Sequence, residues 1–356
     1  MSISIKRVEI ARNDRVYEAF PDVCLLSSGR MICAYREADT HIASTSRLML
    51  TLSDDKGVTW SQARQLDSRS SFAENSAVWH DPLLSQLNDG RIVLVCTKQI
   101  FPDEAESQLF PESKSFYQTF LWFSDDEGEN WTLPHLTEIE GLSSGRVLEL
   151  REDYWILAIR RASVRFPGFM RVQIAFSFDK GCSWFLSAMV AEEDGFLHDE
   201  PSIAHLDDGR LLCVMREDTL TKRPSHCTIS ENEGFTWSKP FPSPFHGHRP
   251  MVGILQSGLL LVTYRNVEPA LGEEKLKVGK NPGTRAWLGD INALQGNGEA
   301  SGFLDIENDS SGWFGDFGYT GWVQFEDGEI FCVYHHRDDS SMSYIKGAWF
   351  QETDFS

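Results

Sequence analysis

The sequence predicts an all-β fold: a six-bladed β-propeller with four-stranded antiparallel blades and a ring closed by the N-terminal strand. Three observations carry this prediction. One turn phrase occurs four times, one strand–hairpin–strand pattern occurs six times, and the two chain ends supply complementary parts of one blade.

The turn phrase is Ser-x-Asp-x-Gly-x-Thr-Trp, with small variations. It reads SDDKGVTW at Ser53–Trp60, SDDEGENW at Ser124–Trp131, SFDKGCSW at Ser177–Trp184 and SENEGFTW at Ser230–Trp237. The starts lie 71, 53 and 53 residues apart, a period that suits one blade per repeat. The Asp or Asn side chain folds onto nearby backbone N–H groups, and Gly takes the positive-φ position. Trp then pins the following strand to its blade. These phrases build scaffold and carry no chemistry.

The second pattern is a short apolar strand, an X-Gly hairpin signal and another apolar strand. Its copies start at Phe20, His80, Gly145, His198, His248 and Tyr319, which gives six blades. Four carry the turn phrase between their outer two strands, and NDSSGW at Asn308–Trp313 reads as a worn copy in the fifth. The sixth blade has its own strands from Tyr319 and at SYIKGAWFQE near Ser343–Glu352. Its missing outer strand is the N-terminal SIKRVEIAR, so residues 1–356 form one closed domain. Charged, Gly- and Pro-bearing excursions at Pro102–Ser115 and Glu268–Gly283 read as loops over one face.

Composition narrows the partners. A chain of 356 residues with 41% hydrophobic residues can bury a large core. The formal charge of −20 argues against nucleic acid or an anionic membrane, yet leaves room for a small anion in a locally basic pocket. Seven scattered cysteines show no metal-like spacing; Cys33, Cys96 and Cys213 fall in apolar strands and point to a reducing compartment. The N-terminus lacks an apolar signal region, and no apolar run approaches the ~20 residues of a membrane span. A cytoplasmic protein is the expectation. The ten histidines do not recur at ligand spacing, so no metal or other cofactor is expected.

In a propeller, the starts of the inner strands and the ends of the second strands share one face around the central channel. Seven residues after each hairpin Gly, the second strand ends at Arg36, Arg216, Arg265 or His335; Lys98 comes one residue later, and Arg160 is equivalent in the third blade. A shared register of cations within an acidic chain predicts a cationic pocket, and arginine forks suit planar carboxylates. The inner-strand starts add Asp22, His80, Asp81, Asp199, Glu200, His248, Arg249 and Tyr319. An Asp before Pro is commonly a turn residue. Glu200 and Tyr319 differ: each opens a strand that then turns apolar, so its side chain is expected to point up the channel.

These residues resemble the sialidase (neuraminidase) superfamily of Asp-box, or BNR-repeat, propellers along nearly the whole chain. The resemblance implies a glycan substrate and an exo-acting hydrolase that removes a terminal acidic sugar, with a Tyr nucleophile, a Glu that primes it, an Asp acid/base and three arginines on the sugar carboxylate. YREADTH resembles the segment with a strand-end Arg and the acid/base, here Arg36 and Asp39. HDP resembles the pocket Asp-Pro, here Asp81. HDEPS…DGRLLCVMR is similar to the Glu-then-Arg pair, Glu200 and Arg216. TRAWLGD resembles the strand of the next arginine, Arg285, and GYTGWVQFEDG the nucleophile strand of Tyr319.

One segment departs. The family's first blade opens with Phe/Tyr-Arg-Ile-Pro, whereas this chain has EAFPDV, with Ala19 or Phe20 where the arginine belongs and Asp22 beyond it. Arg249 or Arg265 is the candidate substitute, with His80 and His248 beside them. Two rival readings follow: an Asp-box glycosidase for a non-sialic polysaccharide, with Asp22 and Glu200 as a carboxylate pair, or a non-catalytic carbohydrate-binding propeller.

Overall fold

The computed structural model describes residues 5–66, 77–101, 116–219, 223–267, 283–298, 302–308, 317–338 and 342–355. Most of Asn308–Trp313 and of the two charged excursions lies outside these residues. Six antiparallel sheets follow one another along the chain. Blade 1 is built from Tyr17–Leu25, Met31–Ala38, Ser46–Ser53 and Arg64–Gln65. Blade 4 runs through His198–His205, Leu211–Glu217, His226–Ser230 and Phe241–Pro242, and blade 5 through Gly247–Ile254, Leu260–Asn266, Gly283–Gly289 and Gly302–Glu307. Blades 2 and 3 have inner strands in two pieces, Ala77–Trp79 with Leu83–Gln86 and Leu142–Ser143 with Leu148–Arg151. Blade 6 holds Thr320–Gln324, Ile330–His336 and Tyr344–Phe350, and Lys6–Ala11 completes it from the other end of the chain, with Lys6 opposite Trp349.

The core is a set of wedges between neighbouring blades. Cys24, Ile32 and Leu48 of blade 1 pack with Leu84, Ile92, Phe120 and Trp122 of blade 2. Val23, Met31 and Tyr35 close the ring against Phe331, Val333 and Trp349 of blade 6. Cys33, Cys96 and Cys213 are fully buried, as their apolar strands require.

The four turn phrases form one structure. In the first, the Ser53 hydroxyl accepts the Gly57 N–H at 2.9 Å, and Asp55 accepts the Thr59 N–H at 2.8 Å. The Trp60 indole N–H donates to the Gly57 carbonyl at 2.9 Å. Two departures from the expected turn appear. The residue before each Gly is also left-handed, with φ between 56° and 58° at Lys56, Glu127, Lys180 and Glu233. And Trp60 also reaches the neighbouring blade, stacking 6.1 Å from Phe331 in a cluster shared by blades 1 and 6. The turn is therefore an inter-blade joint.

Candidate active site

The inner strands of blades 1, 4 and 5 share a break at the same register. Ala19 faces Arg36 and Asp22 faces Ala34; Asp199 faces Arg216 and Ser202 faces Val214; His248 faces Arg265 and Met251 faces Thr263. Between each pair of rungs sits a residue followed by proline: Phe20, Glu200 or Arg249. Their φ values are 57°, 46° and 46°. Proline disfavours a helical preceding residue, and a left-handed non-glycine costs roughly 1–3 kcal/mol. Three strained slots in register mark where the fold aims side chains at the channel mouth. Asp81, before Pro82 in the gap of blade 2's inner strand, holds the same position relative to its proline.

These slots meet around Tyr319. Its hydroxyl donates to Glu200 Oε1 at 2.5 Å. Arg216 Nη1 donates to the same hydroxyl at 3.1 Å and lies 3.2 Å from Glu200 Oε2. The Arg249 backbone N–H donates to Glu200 Oε2 at 2.8 Å, so both carboxylate oxygens are held. Arg265 lies over the Tyr319 ring at 4.1 Å, with Phe20 and His335 packed against that ring at 5.4 and 5.7 Å. Tyr319 and Glu200 are both buried.

Electrostatics fixes the resting protonation. Burial raises the Glu200 carboxyl, but chiefly Arg216, with the Tyr319 hydroxyl, outweighs it and holds it at about 2. Burial and then the Glu200 charge push the Tyr319 phenol well above its ordinary range, against the pull of Arg216 and Arg265. At neutral pH the proton sits on Tyr319, already shared with its acceptor. Such a pair delivers a phenolate oxygen when an electrophile draws charge from it.

The other predicted residues divide. Asp81 is buried and paired with Arg249 Nε at 2.8 Å; burial raises its carboxyl, against the lowering effect of Arg249. Arg249 also donates to the Thr320 carbonyl at 3.2 Å. His248 lies beside Arg216 and Asp218, and burial keeps it neutral by pulling it well below the usual histidine range. His80 is held by Gln99 at 3.0 Å, and burial lowers it to about 4. Arg36 donates to the His41 carbonyl at 2.8 Å and lies 4.3 Å over the Phe20 ring. Asp39 is exposed and organises its own loop, accepting the Ser44 hydroxyl at 2.5 Å and backbone N–H groups of residues 40 and 44. The Ser44 hydroxyl lowers the Asp39 carboxyl.

Two expectations need correction. Asp22 does not stand beside Glu200 as a partner carboxylate. It is fully buried and gripped by Arg146 of blade 3 through contacts of 2.9 and 2.6 Å, while accepting the Leu84 N–H of blade 2 at 2.9 Å. Arg285 is the second: it shares a rung with Tyr264 and so lies on the opposite face of its sheet from Arg265. It faces the outer strand of blade 5, where Nε meets Asp305 at 2.8 Å.

Sequence reading missed two partners. Asp218 receives Arg216 Nη2 at 2.8 Å, and its position two residues after Arg216, just past the end of the strand, was the available signal. Arg146 lies in the gap between the two pieces of blade 3's inner strand, the same place in the blade that had drawn attention in blade 2. Among the described residues, no cluster of three His, Cys, Asp or Glu side chains is arranged to hold a metal, and no helix is long and apolar enough to cross a membrane.

No family model matches the chain, and no curated protein matches it in sequence. Solved structures do match in shape. A protein of unknown function from Dyadobacter fermentans superposes with a TM-score of 0.81 at 20% identity, covering 96% of this chain and 97% of that one. The intramolecular trans-sialidase from Ruminococcus gnavus superposes with a TM-score of 0.69 at 15% identity, covering 95% of each chain. The fold is the sialidase propeller. Its reach is wider than sialidases, because an α-L-arabinofuranosidase from Fusarium graminearum shares it at a TM-score of 0.64 and 13% identity, over 98% of each chain. At such identities the sialidase fold is what the likeness establishes.

Proposed function

We propose that this chain is a glycoside hydrolase in which Tyr319 attacks the anomeric carbon and Glu200 takes the phenol proton. The observation that carries the reading is the 2.5 Å Tyr319–Glu200 hydrogen bond with Arg216 within reach of both partners. As the glycosidic bond breaks, the Tyr319 oxygen forms the new bond to carbon and its proton passes to Glu200. Arg216 stabilises the charge shared between them. In this reading Asp39, once released from Ser44 and protonated from solvent, gives that proton to the leaving oxygen, then removes a proton from the water that cleaves the tyrosyl–sugar bond, so the configuration is retained. The named glycosidases that share the fold support the class.

The resemblance favours a terminal acidic sugar. A second reading, a non-sialic glycan, is favoured by Arg285, whose pairing with Asp305 removes one member of the expected carboxylate clasp. The class is tested by following release of an aryl alcohol from a panel of aryl glycosides, including an α-sialoside, with wild type and Tyr319→Phe. Turnover by wild type that collapses in the variant supports the proposal. Equal turnover by both removes Tyr319 from the mechanism, and binding without turnover favours a carbohydrate-binding propeller.

A further inference from the structure

Phe20 fills the slot in blade 1 that holds Glu200 in blade 4 and Arg249 in blade 5. The backbone adopts the same strained left-handed geometry for all three. Two of the three slots present charged groups that meet at Tyr319, so the third is spent on a phenyl ring at the same centre. That ring touches the Arg36 guanidinium on one contact and the Tyr319 ring on another, at 4.3 and 5.4 Å. A phenyl ring at this position offers no hydrogen bond to a carboxylate beside the Tyr319 oxygen.

The remaining cations are engaged as well. Arg160 is paired with Asp199 at 2.9 Å, Arg216 with Glu200 and Asp218, and Arg249 with Asp81. Arg265 donates to the Phe317 carbonyl at 2.5 Å while covering the Tyr319 ring. Four carboxylates therefore stand among these arginines. An incoming carboxylate competes with these four for Arg160, Arg216 and Arg249, whereas sugar hydroxyls can donate to the carboxylates and accept from the arginines without separating any pair.

We propose that the site takes an uncharged sugar, and that Phe20 is the residue that sets this preference by filling the subsite an anionic group needs. The inference rests on the hydrolase reading for its reaction but concerns only what is bound. Substituting Phe20→Arg tests it, because Arg249 already holds an arginine in the same backbone geometry.

The experiment compares kcat/KM of wild type and Phe20→Arg on neutral aryl glycosides, furanosides and pyranosides, and on an aryl α-sialoside and an aryl glucuronide, with thermal unfolding confirming that the variant folds. Wild type is expected to favour a neutral glycoside by 100-fold or more, and Phe20→Arg to shift that ratio at least tenfold toward the carboxylated sugars. Preference of wild type for a carboxylated sugar overturns the inference and leaves the hydrolase reading intact. A wild-type preference for neutral sugars that the folded variant does not shift overturns the role of Phe20. If no glycoside turns over, the hydrolase reading fails and ligand-observed NMR decides the sugar class. Binding of neutral oligosaccharides in preference to sialyllactose supports it; the reverse, or no binding, overturns it. Should Phe20→Arg fail to fold, Phe20→Ala, which empties the subsite, is expected to narrow the neutral preference, and an unchanged preference in the folded variant overturns the role of Phe20.

Discussion

Arg146→Met should destabilise the protein strongly although Arg146 touches none of the groups at Tyr319 described above. Its guanidinium holds Asp22 through contacts of 2.9 and 2.6 Å and also donates to the Val23 carbonyl at 2.8 Å. The Asp22 side chain is fully buried. With the arginine gone, the carboxylate keeps only the Leu84 N–H among the contacts described here. Removing one partner of a buried ion pair typically costs about 3–5 kcal/mol, because the remaining charge has no compensation. The compensating change is already present elsewhere in the fold: Ser202, at the equivalent position of blade 4, accepts the Val252 N–H of blade 5 at 3.1 Å with no arginine. Asp22→Ser combined with Arg146→Met should therefore recover at least half of the loss. Urea unfolding followed by tryptophan fluorescence measures both. A single-variant cost below about 1 kcal/mol, or a double variant no better than the single, would refute the claim that charge burial governs this joint.

Glu200→Gln and Tyr319→Phe should each lower kcat by about 10²–10⁴ with a smaller change in KM, since both act on the proton moved during bond formation; a loss confined to KM contradicts their roles. Asp39→Asn should slow substrates with poor leaving groups far more than activated aryl glycosides, and equal slowing of both assigns Asp39 to its loop alone. Burial, opposed by the Asn13 N–H and reinforced by Glu37, raises the Glu18 carboxyl from 4.5 to about 7. The folded state then binds the extra proton between those values, so the Glu18 contribution is complete below pH 4.5 and is lost as pH rises through 7. Glu18→Gln should flatten this fall in melting temperature across pH 5–8, and an unchanged slope dismisses Glu18 as its source.

The ring was legible because a repeat reports its own register. Counting seven residues from each hairpin Gly located Arg36, Arg216, Arg265 and His335 without reference to any tertiary contact, and Tyr319 and Glu200 followed from where apolar strands begin. The facing of Arg285 was not available in the same way. Thr284 pairs with Arg265, while Arg285 pairs with Tyr264, and a one-residue difference in a strand reverses the face. Only the strand pairing resolves it, and that pairing also sets Arg285 opposite Asp305. Asp22 was misplaced for another reason: its partner lies 124 residues away on a different blade. The pre-proline slots escaped notice because Phe, Glu and Arg before Pro carry no shared local signal, and the positive φ at Phe20, Glu200 and Arg249 shows only in the folded sheets.

The pairing of Lys6–Ala11 with Tyr344–Phe350 has a consequence for biosynthesis. Lys6–Ala11 is made before the rest of its blade, so it waits through the synthesis of the five other blades before its partner strand exists. Joining ends so distant in sequence costs roughly 5 kcal/mol of chain entropy by loop-closure scaling. That cost falls on a single late event, which makes the clasp a natural gate between a nascent open arc and the finished ring. A circular permutant that links the present termini and begins between two blades would keep all six sheets but move this event elsewhere. Each blade could then close from consecutive residues, and the slow step of maturation should change while the residues around Tyr319 stay the same.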